Sequence, residues 1–426
     1  MAPSPPAAPL ARHPPRRILL SEGSSLSARQ TLSCLGWAGH HVEIMSSDAA
    51  CLARFSRFCR KLHVTPKPGT DPEGYLEALL RILRERHIEV LVPTHEQAYL
   101  LAAARHRLPT DVAVALSDFA NFERVQSKAA LADTLAGLGV PQPPTRVIHA
   151  VEELPATQVY PFFAKAAYGT ASAGVWKIDD RAAWQALLPQ LQSLGLFADG
   201  LVIQQPVAGQ LHRTQAVFDR GRLVAIHAYR QLAIGTGGGD VLKQSVRPAV
   251  DGLVERLGGA LQWHGALSFD YLLADGLPYF IDCNPRLVEP VNAWYAGVDM
   301  AGALLAVSLG QAPPRQPMPR EGVRTRMGLM SVLAAAWDHR TRGAVIRELM
   351  ALISHSGRYR DTVEELTPVW RDPASAFPLL YIVGLMLAAP QKVERFSGAN
   401  VNQHMLTLPA IAQIKRWAAE AANINR

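Results

Sequence analysis

The sequence predicts a protein of the α/β and α+β classes, with a doubly wound domain first, a strand-rich domain next and a mainly helical region last. Strand-like and helix-like segments alternate over residues 17–116, and short strands joined by tight turns dominate residues 117–315. Apolar helical stretches fill residues 316–426. A chain of 426 residues is long enough for two or three hydrophobic cores. Residues 1–16, rich in Pro and Ala, predict a disordered tail.

Composition is that of a globular protein, with 49% hydrophobic and 19% charged residues and a net charge of +7. The arginines form no dense basic run, so we attribute the charge to a solvated surface and an anion-binding cleft and expect no nucleic-acid partner. The four cysteines form no CxxC pair, which favours buried thiols and a cytoplasmic protein.

The most apolar late segment is 376–389, which contains Pro378. It is shorter than the roughly 20 residues that a membrane helix needs. We therefore predict a buried helix and no stable membrane insertion, with weak membrane contact as the lesser alternative.

The first domain reads as alternating strands and helices, which favours a parallel sheet covered on both faces. Its first turn lacks G-x-G-x-x-G, so NAD is not expected. The predicted strands are 17–21, 39–45 and 88–93, and the predicted helices are 26–36 and 71–86.

Polar residues follow two of these strands. Ligands favour the carboxyl ends of parallel strands, which makes Ser24, Ser25 and the loop Thr94–Glu96 candidates for contacts with a second substrate. Capping and turn hydrogen bonds explain these side chains equally well.

A lysine and a small-residue loop open the middle domain. The strand Pro161–Lys165 ends in a lysine, and Gly169, Ser172 and Gly174 lie in the loop before the next strand. Backbone N–H groups of such a loop can surround phosphates. A plain β-hairpin is the alternative. Upstream, the helix carrying Lys128 leads through a Pro-rich extended linker toward this hairpin.

Two further strands, 214–218 and 223–229, predict an antiparallel pair. The glycine-rich stretch Gly235–Asp240 follows. We interpret it as a mobile loop near the phosphates or the second substrate, with an ordinary surface loop as the equal alternative.

The hairpin Leu267–Arg286 is the most informative segment. Two alternating strands flank a tight turn at Asp275-Gly276. Asp282 and Asn284 share one face of their strand, and pairing can place Asp270 opposite them. Two carboxylates and an amide oxygen suit Mg²⁺, and Arg286 adds a fixed cation.

The order of these features resembles the ATP-grasp enzymes. The metal strand of that family usually reads Glu-x-Asn-Pro-Arg, and this chain has Asp282-Cys283-Asn284-Pro285-Arg286. The strand lysine, the small-residue loop and the segment Leu201–Gly209 occur in the family's order over residues 17–315. The Asn-Pro-Arg ending is closest to the carbamoyl-phosphate-synthase-like and biotin-carboxylase-like subgroups.

The resemblance implies a pre-ATP-grasp domain over residues 17–116 and a two-lobed ATP-grasp domain over residues 117–315. It also implies binding sites for ATP and Mg²⁺, with Mn²⁺ as a substitute. It implies metal ligation by Asp270, Asp282 and Asn284. The implied phosphate contacts are Lys128, Lys165 and the loop residues Gly169, Ser172 and Gly174. The implied adenine contacts are Gln204, Gln205 and Val207. His212 is the implied ribose contact, at a place where the family often has Glu. Lys165 and Arg286 are the implied catalytic residues.

The activity implied by the resemblance is an ATP-dependent ligase that joins a small-molecule carboxylate to an amine or a thiol through an acylphosphate. A homodimer is compatible with it. Asp282 and His212 depart from the family pattern, which leaves open a degenerate ATP-grasp protein that binds nucleotide as a scaffold or sensor. A basic protein associated with nucleic acid is the second rival.

Overall fold

The computed structural model describes residues 14–155, 157–169, 174–235, 240–396 and 401–424. Ser172 and the predicted mobile loop at 236–239 lie outside the described residues. The strands in the described part are β1 (Arg17–Leu20), β2 (His41–Ser46), β3 (Cys59–Val64), β4 (Val90–Val92), β5 (Thr145–Ile148), β6 (Phe162–Ala166), β7 (Val175–Ile178), β8 (Leu201–Gln204), β9 (Gln210–Asp219), β10 (Arg222–Ile234), β11 (Asp240–Val246), β12 (Gly265–Ala274), β13 (Leu277–Asn284), β14 (Arg324–Arg326) and β15 (Thr362–Glu364). The helices there are α1 (Leu26–Trp37), α2 (Pro72–Glu85), α3 (Gln97–Ala103), α4 (Phe119–Gln126), α5 (Lys128–Gly137), α6 (Arg181–Ser193), α7 (Asp251–Ala260), α8 (Val291–Ala296), α9 (Met300–Ser308), α10 (Gly328–His339), α11 (Arg342–Ile353), α12 (Ala376–Ala388), α13 (Val401–His404) and α14 (Leu408–Ile424).

The first sheet is parallel, in the order β3-β2-β1-β4. Side chains of β1 alternate between two cores: Leu19 packs with residues of α2 and α3, whereas Ile18 and Leu20 pack with residues of α1. The predicted parallel sheet covered on both faces is thus confirmed. Strand β3 was not predicted, because the segment Cys59–Val64 carries Arg, Lys and His and is an edge strand with little buried surface.

The second sheet has four antiparallel strands in the order β5-β8-β6-β7. Its core includes Ile148, Phe162 and Ile203, and Trp184 of α6 packs onto it. This sheet pairs β6 with β8 directly, and Lys165, opposite Val202, is the diagonal neighbour of Gln204.

The third sheet has seven strands in the order β13-β12-β9-β10-β11-β14-β15. Its strands are antiparallel except for the parallel pair β14–β15. Phe218 and Phe269 belong to the main hydrophobic core. Arg213, Gln215 and Asp270, at the alternate positions, point to the opposite face. The predicted mixture of α/β and α+β architecture is therefore confirmed.

The C-terminal region is helical apart from β14 and β15, which join the third sheet. Helices α10, α11 and α12 share one hydrophobic core, and Ile411 and Ile414 of α14 pack into the core of the first domain. The predicted boundary between residues 315 and 316 stays a prediction.

Helix α12 corrects one expectation. The apolar segment 376–389 forms a helix as predicted, but Met386 is the one residue of α12 that is buried, and the prediction of a buried helix was wrong. Neighbouring helices cover one side of α12 and leave the other in solvent. In the part of the chain that the structure describes, no helix combines the length and apolarity needed to cross a membrane.

Candidate active site

The hairpin β12–β13 has the predicted geometry. Asp275 and Gly276 at its turn both have positive φ angles, 50° and 79°, as a tight two-residue turn requires. Asp270 lies directly opposite Asp282, and Ser268 lies opposite Asn284. The alternation of side chains along the two strands therefore brings all three predicted metal ligands to one face of the sheet.

Each carboxylate of the hairpin has a cationic partner. Lys128 Nζ lies 3.0 Å from Asp282 Oδ1, and Arg213 Nε lies 3.2 Å from Asp270 Oδ2. Burial raises the pKa of Asp270 to about 6; Arg213 opposes the shift and the carboxylate of Asp282 adds to it. The site thus concentrates negative charge and offsets it with two fixed cations.

Arg286 is held from two sides. It donates through Nη1 to the side-chain oxygen of Asn284, and its Nη2 lies 3.0 Å from His95 Nε2. Burial, followed by the charge of Arg286, holds the pKa of His95 well below its usual value. The imidazole of His95 is therefore neutral at pH 7 and accepts the hydrogen bond from Arg286.

Two donors at this position have no hydrogen-bond partner among the described residues: Arg286 Nε and His95 Nδ1. His404 of α13 lies beside them, with its ring centroid 4.0 Å from that of His95. Its Nδ1 is 3.3 Å from Ser24 Oγ. The first domain, the hairpin and the C-terminal segment therefore meet at His95.

Lys165 connects the second and third sheets. Its Nζ donates to Gln204 Oε1 at 2.6 Å and to the carbonyl of Ile281 at 3.2 Å. Burial lowers its pKa to about 8; Asp282 opposes the shift and Lys128 reinforces it. Lys165 is consequently an ammonium group that changes charge close to physiological pH.

Two cavities meet at Lys128. The first encloses about 310 Å³, partly open to solvent, and is lined by polar groups. Its lining residues are His95, Glu96, Gln126, Lys128, Gly169 and Asp282–Arg286. The second, about 250 Å³ including space open to solvent, combines apolar side chains with polar and cationic ones. Its lining residues are Lys128, Leu131, Ala132, Leu135, Gln142, Lys165, Val202, Gln204, Phe280 and Ile281.

The predicted nucleotide contacts Gln205, Val207 and His212 lie outside both cavity linings. The Gln205 N–H donates to the carbonyl of Pro144 at 2.9 Å, and Val207 lies between β8 and β9. The ring of His212 stacks on Tyr271 at 5.3 Å, with Nδ1 3.0 Å from the Gln210 carbonyl.

The small-residue loop is described only at its ends. The Gly169 carbonyl accepts from Lys128 Nζ at 3.2 Å, and Gly174 has a φ of 77° just before β7. Ser24 and Ser25 both bond to the carboxylate of Glu22, and Ser25 caps α1. The serines thus have the local capping role that was the alternative, whereas His95 lines the polar cavity.

Two buried ion-pair clusters near the site were not predicted from the sequence. Arg213 pairs with Asp240 at 2.5 Å as well as with Asp270, and Asp240 also accepts from the hydroxyl of Tyr229. The sequence signal for Arg213 was a charged residue within a strand whose later residues are apolar. Lys243 pairs with Glu289 and Glu365 in a buried triad, which no local pattern predicts because its members are far apart in sequence.

No protein-family model matches this chain, and no curated protein matches it. Solved structures do match. The biotin carboxylase domain of the 2-oxoglutarate carboxylase from Hydrogenobacter thermophilus, in complex with MgADP, ADP and bicarbonate, is 14% identical, with 73% of this chain and 74% of that chain covered and a TM-score of 0.57.

Two further similar structures come from other enzymes. The N5-carboxyaminoimidazole synthetase from Staphylococcus aureus, complexed with ADP, is 12% identical over 78% of this chain and 88% of that chain, with a TM-score of 0.59. The L-amino acid ligase from Bacillus licheniformis is 16% identical over 70% and 75%, with a TM-score of 0.53. These are ATP-grasp proteins, and the fold expected from the sequence is confirmed.

Proposed function

We propose that this chain, which has the ATP-grasp fold, is an ATP-dependent ligase that joins a carboxylate to an amine, or to a thiol, through an acylphosphate. One observation carries the proposal: Asp270 and Asp282 face each other across the hairpin, and Asp282 lines one cavity together with Lys128 and Arg286. Phosphoryl transfer depends mainly on positioning and charge neutralisation, and this arrangement supplies both.

The second cavity, lined by Leu131–Ala132, Val202 and Phe280 on its apolar side, is the proposed adenine site. Leu131, Val202 and Phe280 offer flat apolar contacts, and Gln204 at its edge can hydrogen-bond the base. The Gln205 carbonyl and the Val207 N–H, together with His212, are the proposed contacts to the outer edge of the base and the ribose. They require the nucleotide to extend beyond the cavity.

The phosphates would lie between Lys128 and Lys165. Lys128 lines both cavities, so its ammonium group can follow the triphosphate from one to the other. The loop from Gly169 to Gly174, with Ser172, would cover the outer phosphates with its N–H groups. Closure of this loop would exclude water from a hydrolysable intermediate.

The hairpin side chains fit Mg²⁺. Among the described residues, no group of three or more His, Cys, Asp or Glu side chains surrounds a common point. Two carboxylates and the Asn284 amide oxygen form a partial set of hard ligands, which suits an ion that takes its other ligands from phosphates and water. Mn²⁺ would use the same atoms. When bound, the metal neutralises charge on the transferring phosphoryl group.

The proposed reaction has two steps. A carboxylate oxygen of the acid attacks the γ-phosphorus of ATP, the bond to the β–γ bridging oxygen breaks, and ADP leaves. The nucleophile then attacks the acyl carbon of the acylphosphate, loses a proton and expels inorganic phosphate. Arg286 and Lys165 would stabilise the negative charge that develops on the transferred group.

The polar cavity is the proposed site of the acid. Arg286 Nε and His95 Nδ1 are buried donors without partners, and a carboxylate can accept from both. Such a carboxylate would lie next to Asn284, at the γ-phosphate end of the nucleotide. His404 packs against His95 and would hold its ring in position.

One observation favours the second candidate, a protein that binds nucleotide without turnover. Asp282 already has Lys128 as a cationic partner, and Asp270 shares Arg213 with Asp240, so these pairs can stabilise the fold without a metal. The shorter side chain of Asp282, where the family usually has Glu, also favours this candidate.

An ADP-release assay with Mg-ATP and a panel of carboxylic acids, each with and without an amine, tests the proposal. We expect ADP release that requires an acid and rises with the amine. With an ¹⁸O-labelled carboxylate, one labelled oxygen should appear in phosphate, because the acid oxygen attacks phosphorus. Nucleotide binding without acid-dependent ADP release across the panel would instead support the second candidate.

A further inference from the structure

Helices α11 and α12 expose a set of large apolar side chains. Ile346, Met350 and Ile353 on α11 and Phe377, Leu380 and Tyr381 on α12 are between 50% and 74% exposed. We call these six residues the α11–α12 face. Single exposed apolar residues are ordinary, but a grouped set of this kind marks an interaction surface.

The six residues form one continuous surface. Arg342, at the start of α11, donates through Nη2 to the carbonyl of Ala388, at the end of α12, at 2.8 Å. The two packed helices are therefore antiparallel. With the same rise per residue in both, we expect Met350 at about the level of Leu380, and Ile353 at about the level of Phe377.

The face is rigid. Val345 and Leu352 of α11 and Met386 of α12 are buried in a common core with Val332 and Ala336 of α10. The outward side chains therefore project from anchored helices, so a partner would bind a preformed surface at little ordering cost.

The charges around the face favour a protein partner over an anionic lipid surface. A lipid-binding helix carries free Lys or Arg beside its apolar side. Here α12 contains no charged residue. Arg340 pairs with Glu394, Arg358 pairs with Glu348, and Arg342 is bonded to the end of α12. Among the described residues of α11 and α12, this leaves the exposed Arg347 as the single unpaired cation beside the face, fewer than a lipid-binding helix carries.

The size of the face matches half of a dimer interface. With roughly 150–200 Å² per large side chain, the exposed fractions amount to on the order of 600 Å² of apolar surface. A stable interface buries about 800 Å² per partner, including a polar rim. The core of this surface is apolar, aromatic and free of charge, as in homodimers.

We propose that two copies of this chain associate through the α11–α12 face about a two-fold axis. A pair of antiparallel helices is suited to such an interface, because its two-fold copy packs onto it as a four-helix arrangement. None of the six residues lines either cavity, so both sites stay open in the dimer. The proposal does not depend on the proposed activity.

Sedimentation velocity of the full chain at micromolar concentration tests the proposal. The wild-type chain is expected to sediment with the mass of two chains. Met350→Glu and Leu380→Glu are each expected to weaken association by roughly 30-fold or more, because they place a charge in the centre of the interface. Both positions face solvent in the single chain, so the variants should fold.

Leu194→Glu is the matched control. Leu194 is also 50% exposed but follows α6, far along the chain from the α11–α12 face. This variant is expected to remain dimeric. A wild-type chain that is monomeric throughout the concentration range, or dimers that survive both face variants, would overturn the proposal.

Two other occupants of the α11–α12 face would give results that differ from those expected for a second copy of the chain. A monomeric wild-type chain that cosediments with phosphatidylcholine–phosphatidylglycerol vesicles, and loses that property with Leu380→Glu, would assign the face to a lipid surface and overturn the proposal. A full chain that is monomeric while a chain lacking residues 1–16 is dimeric would assign the face to the N-terminal segment, with the same consequence.

Discussion

Asp282 pairs with a lysine in this structure and is a proposed ligand of Mg²⁺ in the nucleotide complex. Its carboxylate pairs with Lys128 at 3.0 Å and lies opposite Asp270 across the hairpin. In the proposed nucleotide complex, Lys128 would turn to the phosphates and leave the Asp282 carboxylate to hold Mg²⁺. Asp282 would then connect metal binding to nucleotide binding.

Asp282→Asn tests this role. The amide keeps the size of the side chain but removes the charge that attracts the metal, so Mg²⁺-dependent ADP formation should fall by roughly 100-fold or more. Asp275→Asn, in the exposed turn of the same hairpin, is the control and should retain activity. Full activity of Asp282→Asn would contradict the metal assignment.

Lys165 provides a test by pH. Its pKa of about 8 means that it is charged below pH 8 and neutral above it. ATP binding to the ammonium form should therefore weaken by up to about tenfold per unit as the pH rises above 8, and stay constant below it. Isothermal titration calorimetry with ATP measures this directly.

Lys165→Arg is the control for the pH profile. A guanidinium group remains charged throughout this range, so the affinity of this variant should be flat with pH even if its absolute value changes. Equal pH dependence in wild type and Lys165→Arg would show that another group titrates.

At the scale of elements, local patterns predicted most strands and helices but not how each is covered. The hairpin register followed from alternation, and β12 and β13 pair as expected. Strand β3 was not predicted because an edge strand needs few apolar residues. Helix α12 looked like a core helix because its composition does not reveal whether another surface covers it.

The turn of the hairpin β12–β13 gives a prediction at this scale. Gly276 has a φ of 79°, a conformation that costs residues with a Cβ about 1–2 kcal/mol, so Gly276→Ala should lower the free energy of unfolding by that amount. Gly137→Ala is the control, since this glycine ends α5 without positive φ and has open space around it. It should be neutral or stabilising by up to about 1 kcal/mol in urea unfolding. Equal losses in both variants would contradict the account.

At the scale of the whole molecule, a buried ion pair joins the first domain to the C-terminal region. Arg29 of α1 lies 2.8 Å from Asp372, and both side chains are fully buried. Asp372 also accepts from the backbone N–H of Arg57 at 2.8 Å. These bonds fix the segment before α12 against the first sheet.

Removing one member of this pair should be costly. Asp372→Asn leaves the Arg29 charge buried without its counter-ion and should lower the free energy of unfolding by about 3 kcal/mol. Glu394→Gln, in the exposed pair with Arg340, should change it by less than about 1 kcal/mol. Urea unfolding followed by tryptophan fluorescence compares the two, and a small effect at Asp372 would contradict the proposed joint.

The sequence alone determined the local units of this protein: the doubly wound start, the strand ending in Lys165, and the hairpin that aligns Asp270, Asp282 and Asn284. Each of these depends on residues close together in the chain, where strand alternation and turn chemistry decide the geometry. Tertiary structure alone decided that Lys128 meets Asp282, that His95 holds Arg286, and that His404 arrives from the far end of the chain. It also decided that α12 lies at the surface. The physical reason is that an ion pair or a buried face depends on which other elements pack beside it. The pattern of residues within one segment does not specify those elements.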